Sequence, residues 1–120
     1  ILMETKEDHP FVQVELMMPI LPLVRVPDVD QAIEMAVRVE HGNRHTAMMH
    51  SRNVEKLTKM AKLIQTTIFV KNGPSYAGIG VGGEGYTTFT IAGPTGEGLT
   101  SAKSFARRRR CVLVGGMDVR

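Results

Sequence analysis

Asp28-Val29-Asp30-Gln31-Ala32-Ile33-Glu34-Met35-Ala36-Val37 is the stretch on which the fold turns. Asp28 is a good N-cap, and Gln31, three residues on, closes a capping box. Val29, Ala32, Ile33, Ala36 and Val37 fall on one helical face. His41-Gly42 ends this helix, glycine taking the left-handed position after it. Before the helix, residues 20–26 read as a strand, with Pro22 arguing for an edge or an irregular start. After it, residues 45–50 read as a short strand. Ser51 or Asn53 then caps a second helix whose apolar stripe is Val54, Leu57, Ala61 and Ile64. Residues 66–70 are β-branched and aromatic, hence a strand. Residues 20–70 thus alternate strand, helix, strand, helix, strand. That order defines an α/β unit, with right-handed crossovers wherever the strands run parallel.

Outward from this unit the chain is less regular. Residues 1–5 read as a short strand, followed by a charged loop to Pro10. From Lys71 the character changes: Asn72-Gly73-Pro74-Ser75 is a turn, and a glycine-rich run occupies 78–85. Residues 86–91 alternate like a strand. Gly93-Pro94-Thr95-Gly96-Glu97-Gly98 is a loop, and Thr100 caps a short helix through Phe105. Residues 109–114 form a final strand, and a terminal strand behind a glycine-rich loop is suited to pair with another subunit. The expected division is one unit over 1–92, then loop, short helix and oligomerisation strand over 93–120.

The totals narrow the function. With 120 residues there is room for one core. The chain opens on Ile1, so the expectation is a piece of a longer protein. The single cysteine, Cys111, excludes an internal disulfide and suggests an intracellular setting. No apolar run approaches a membrane span, and Glu4, Glu7 and Asp8 do not fit a signal peptide. The net charge is only +3 and there is no tryptophan, which leaves few stacking surfaces for nucleic acid.

Several residues invite chemistry. Glu15 stands in Val14-Glu15-Leu16-Met17-Met18-Pro19-Ile20-Leu21-Pro22, one carboxylate among apolar side chains. It must find a donor, meet water in a cleft, or take up a proton; the alternative is a loop edge pointing into solvent. His41, His45 and His50 suggest a metal at first glance. However, His41 ends a helix, and His45 and His50, five apart in one strand, face opposite sides, so no metal site is expected. His45, at the mouth of its strand beside the Glu15 loop, is the candidate for acid–base or orienting work, against a structural histidine. Gly78, Gly80 and Gly83 spell G-x-G-x-x-G, but the run follows a turn and leads into a strand, so it reads as a flexible loop and not a dinucleotide turn. Cys111 opens an apolar strand and is expected to be packed. Arg107-Arg108-Arg109-Arg110 is either a phosphate-binding patch or a solvated or subunit-facing run.

In order, Glu15-Leu16-Met17-Met18-Pro19, Asp28-Val29-Asp30-Gln31-Ala32-Ile33, His45-Thr46-Ala47 and Phe69-Val70-Lys71-Asn72-Gly73 resemble the C-terminal part of an aldehyde dehydrogenase. Pro94-Thr95-Gly96-Glu97-Gly98 and Arg109-Arg110-Cys111-Val112-Leu113-Val114 resemble its coenzyme A-acylating branch, the propionaldehyde and acetaldehyde dehydrogenases of propanediol and ethanolamine utilisation. The resemblance implies a β-α-β-α-β part of the catalytic domain and an oligomerisation strand, in an enzyme oxidising an aldehyde with NAD and passing the acyl group from a cysteine to coenzyme A. It implies that the nucleophilic cysteine and nucleotide domain precede these residues, that Cys111 is not that nucleophile, and that this segment alone is inactive. It makes Glu15 the carboxylate for the nicotinamide ribose, with Met17 an apolar contact where many members have phenylalanine, and Met18 where they have glycine. It sets His45 near the reacting centre. It further implies a homo-oligomer in the cytoplasm or a bacterial microcompartment lumen. The alternative is a small basic binding or oligomerisation module that uses Arg107–Arg110.

Overall fold

In a computed structural model, which describes residues 1–82, 105–112 and 114–115, the expected alternation is present. The elements run β1 (Leu2–Glu4), α1 (Pro10–Gln13), β2 (Leu21–Leu23), α2 (Val29–Val39), β3 (Thr46–Met49), α3 (Val54–Ile64) and β4 (Ile68–Lys71), followed by a 3-10 turn over Ser75–Ile79. Asp28 Oδ1 accepts the Gln31 backbone N–H at 2.9 Å, as an N-cap should. The Gln31 amide returns not to the Asp28 backbone but to its Oδ2, at 2.8 Å. The box therefore closes side chain to side chain. Asn53, of the two candidates, caps α3, its Oδ1 accepting from the Lys56 N–H at 3.0 Å.

β3 and β4 pair in parallel, Thr46 opposite Ile68 through Met49 opposite Lys71. A parallel pair needs a crossover, and α3 supplies it. The core lies where α2 and α3 meet this pair: Ile33, Met60 and Ile64 are buried, with Ala36, Ala47, Met49 and Phe69 packed around them. The stripe on α3 is rotated from the expected one. Leu57 and Ile64 are buried, but Met60 joins them, while Val54 and Ala61 are exposed. Met60 has the larger and more adaptable side chain, so burying it removes more apolar surface from water than burying Ala61.

β2 does not join β3. It pairs in parallel with β1, Leu2 opposite Leu21 and Glu4 opposite Leu23, so the described residues form two two-stranded sheets. Pro22 is tolerated because Leu21 N–H donates to Ile1 at 2.8 Å and Thr5 N–H donates to Leu23 at 2.9 Å. The proline falls on the alternate position, whose N–H would face the open edge. The expected charged loop is present over residues 5–9, and it leads into a short helix the sequence reading did not include, α1, with Pro10 at its start and His9 Nδ1 accepting the Phe11 N–H at 3.1 Å.

The first glycine of G-x-G-x-x-G is not in a loose loop. Gly78 lies in the 3-10 turn against Ile68 of β4, where an added Cβ would collide with the Ile68 side chain. At the other end, Arg109–Arg110–Cys111–Val112 form no strand within the chain's described residues, and Cys111 is exposed, not packed. Among the described residues no neighbouring backbone completes a ladder with this segment. The expected strand at 86–91, the loop at 93–98, the helix from Thr100 and the division at residue 92 lie outside the described residues.

α2 and α3 are also clamped by charge. Asp30 accepts from Lys56 Nζ at 2.9 and 2.7 Å and from Lys59 Nζ at 2.8 Å. These bonds, Lys56 first, pull the Asp30 carboxyl from 3.8 down to about 2. A lowered folded-state value means stability that is present above about pH 4 and is lost as pH falls toward 2. Asp30→Asn should therefore flatten the stability profile across that acid limb, measured by urea unfolding at a series of pH values. Gly78→Ala should lower stability by about 1–3 kcal/mol through overpacking on Ile68, read from the urea midpoint at neutral pH.

Candidate functional site

Two chain segments that leave helices face each other across a groove of about 310 Å³. One wall is the end of α1 and the residues after it, Val12, Gln13, Val14 and Glu15. The other is the end of α2 and the turn into β3: Val39, Glu40, His41, Asn43 and His45. The walls are tied together. Gln13 Oε1 meets His41 Nε2 at 3.0 Å, and Gln13 Nε2 donates to the Glu7 carbonyl at 2.6 Å. The Glu7 carboxylate takes two bonds from Arg38 of α2, at 2.9 and 3.1 Å, and these hold the Glu7 carboxyl below its ordinary range.

The turn from α2 to β3 is tight. His41, Gly42 and Arg44 all have left-handed backbone, with φ of 55°, 79° and 53°. For the two non-glycine residues that geometry costs about 1–2 kcal/mol each unless something offsets it. Glu40 supplies the offset: Oε2 accepts the Gly42 N–H at 2.9 Å, and Oε1 accepts the Arg44 N–H. Next along the chain, the His45 carbonyl accepts the Ile68 N–H at 3.2 Å, which fixes the backbone of His45 to the start of β4. Its Nδ1 lies 2.7 Å from Thr46 Oγ1.

Glu15 and His45, thirty residues apart, thus share one groove, and both are exposed. The expected apolar enclosure of Glu15 is not formed. Val14, Met17 and Met18 are themselves exposed, Met17 at 87%, and only Leu16 is half-buried. Among the described residues no element packs over this segment, which runs between α1 and β2; Glu15 is exposed at the groove and forms no salt bridge with them. Met17, and not Met18, holds the left-handed position of this segment, with φ 47°. His41 is spent on Gln13, and His50 lies at the far end of β3. Arg107 to Arg110 are exposed.

Sequence reasoning passed over two residues of this site, Gln13 and Glu40. Gln13 carries no local signal. Glu40 does: a carboxylate in the last turn of a helix opposes the macrodipole, so its presence before His41-Gly42 asks for a compensating role. Asn72 was also more than the first residue of a turn. Its side chain accepts from Ser51 N–H at 2.7 Å and donates to Ser51 O at 2.9 Å, extending the β3–β4 pairing by one rung.

The described residues thus form a parallel α/β pair with a helical crossover, flanked by a groove that presents a carboxylate and an imidazole. The sequence profile of the aldehyde dehydrogenase family matches residues 1–99, and the chain belongs to that family. It is 63% identical over 115 residues to the propanal dehydrogenase (CoA-propanoylating) of Citrobacter freundii, covering 96% of this chain and 25% of that protein. Among solved structures it is similar to the Rhodopseudomonas palustris propionaldehyde dehydrogenase with bound propionyl-CoA: 80% identity, TM-score 0.83, 93% of this chain and 25% of that one. It is also similar to a propionaldehyde dehydrogenase from the Clostridium phytofermentans fucose utilisation bacterial microcompartment, at 56% identity and TM-score 0.82, over 99% of this chain and 27% of that one. The chain therefore spans about a quarter of the length of the relatives it matches.

The left-handed position at Met17 yields a direct check. Met17→Gly should leave stability unchanged or raise it by up to about 1 kcal/mol, while Met18→Gly should lower it by about 0.5–1 kcal/mol, both read by urea unfolding.

Proposed function

We propose that the chain is the C-terminal part of a coenzyme A-acylating aldehyde dehydrogenase, which converts an aldehyde, coenzyme A and NAD to acyl-CoA and NADH. The observation that carries this reading is the meeting of Glu15 and His45 on one open groove in a chain 80% identical to an enzyme solved with propionyl-CoA. The residues suit the ligand. Ribose hydroxyls are donors, and Glu15 offers an exposed carboxylate that no salt bridge among the described residues occupies. Charge-assisted bonds of that kind are among the stronger ones. When bound, NAD supplies the hydride acceptor.

In this reading Glu15 holds the nicotinamide ribose and so fixes where the nicotinamide lies. Met17 offers an exposed thioether side chain as an apolar contact beside it. His45 stands near the reacting centre, an imidazole able to orient a substrate or pass a proton. The nucleophile is not Cys111, which follows the arginine run and is not among the residues lining the groove. The apolar segment from Arg109 completes its ladder on a neighbouring subunit, so the parent enzyme is a homo-oligomer. The parent works in the cytoplasm or in a microcompartment lumen, the latter supported by the Clostridium relative.

The test replaces the matching quarter of the Citrobacter freundii propanal dehydrogenase with these 120 residues. The chimera should form NADH from propanal only when coenzyme A and NAD are both present, and the 120 residues alone should form none. In the chimera, Glu15→Gln should cut kcat/KM for NAD by about 10–100-fold, the loss of a charged acceptor. A chimera indifferent to coenzyme A, or a Glu15→Gln variant with unchanged kcat/KM for NAD, contradicts the reading.

A further inference from the structure

We propose that Glu40 is a positioning residue for His45, holding the turn that delivers the imidazole to the groove; this rests on the functional reading given above. Three of the four residues between Glu40 and His45 have left-handed backbone, and two of those are not glycine. A free turn of that composition samples other conformations, since the left-handed region is disfavoured for residues with a Cβ. Here one side chain closes it. The two carboxylate oxygens of Glu40 divide between the Gly42 and Arg44 N–H groups, and its carbonyl accepts from Asn43 N–H at 3.2 Å and from the Asn43 side-chain amide at 3.1 Å. Glu40 therefore reaches Gly42, Asn43 and Arg44, three of the four residues of the turn.

Beyond Arg44 the backbone is fixed by the start of β4 and the residue before it: Thr67 N–H donates to the Arg44 carbonyl at 2.9 Å and Ile68 N–H to the His45 carbonyl at 3.2 Å. The β4 end is therefore rigid, and the α2 end is set by Glu40. Without the carboxylate, the register between α2 and β3 is retained by β-sheet pairing, but the path of residues 41–44 is not. His45 sits at the junction of the two. Shortening the side chain by one methylene leaves it unable to span both N–H groups, and an amide places an NH₂ against one of the two donors. Only glutamate satisfies both. A carboxylate in this place also works against the helix macrodipole, which the two N–H contacts offset.

Glu40 lines the same groove as His45, so a direct chemical role must be separated from a positioning one. Coupling between variants does so. In the chimera described above, Glu40→Ala should lower kcat at least about tenfold, because small displacements of a reacting group are costly. KM for NAD should change less than about twofold, because Glu15 is on the opposite wall. The double variant Glu40→Ala/His45→Ala should be no slower than His45→Ala alone. Adding Arg44→Gly to Glu40→Ala should recover much of the lost kcat, since glycine takes the left-handed geometry without the carboxylate. Additive losses in the double variant, or no recovery with Arg44→Gly, would overturn positioning in favour of direct chemistry; an unchanged kcat in Glu40→Ala overturns both. Amide hydrogen exchange in the 120-residue chain gives a reading independent of activity. Glu40→Ala should speed exchange at Gly42 and Arg44 by at least about tenfold while exchange across α3 stays unchanged. Equal rates with and without the carboxylate overturn the proposal, whereas a chimera inactive before any substitution overturns the enzymatic reading instead.

Discussion

The burial of Ile33 between α2, α3 and the β3–β4 pair is the contact on which the rest depends. It is 2% exposed, and Met60, Ile64, Ala47, Met49 and Phe69 gather around the same point. A parallel pair of strands cannot be joined by a tight turn, so α3 must cross over it. The crossover is stable only if its apolar face is buried. Ile33, with Ala36 packed beside it, is what α2 contributes to that burial, and so it fixes how α2 lies against the pair. The end of α2 in turn fixes where the turn to His45 begins. One apolar contact thus sets the position of the groove's second wall.

The first wall is set by polar contacts. α1 has only four residues and no buried one, so it cannot hold itself in place by packing. Arg38 on α2 grips Glu7, and Gln13 bridges Glu7 to His41. The Arg38 and His41 bonds are exposed, the Gln13–Glu7 bond is partly buried, and each is of modest individual strength. They act together on one short segment, and that segment ends at Glu15. The groove is therefore rigid on the side of His45 and more lightly held on the side of Glu15. Such an arrangement suits a wall that receives a ligand, because the unmade contacts of Val14, Met17 and Met18 are available to it.

Much of the fold was legible because its signals are local. Asp28, Asn53 and the apolar spacing of α2 announce helices, and the β-branched run before Lys71 announces a strand. What was not legible depends on distant partners. β2 pairs with β1 across a gap that no periodicity encodes, and α1 forms because His9 and Pro10 happen to cap and start it. The α3 stripe was assigned to Ala61 because two helical faces share Leu57 and Ile64, and volume, not spacing, selects Met60. Glu15 and His45 were each visible as residues, but their shared groove arises from the Ile33 contact and the Glu7 bridge. The enclosure expected around Glu15 failed for a physical reason: apolar neighbours in sequence bury a carboxylate only if another element covers them.

The most direct test of the account is a structure of the parent enzyme carrying this segment, solved with NAD bound. The account expects the Glu15 carboxylate to accept hydrogen bonds, at about 2.6–3.0 Å, from the hydroxyls of the nicotinamide ribose, with His45 on the side of the same groove that faces the nicotinamide. A ribose held by other residues, with Glu15 still turned to solvent, would contradict it.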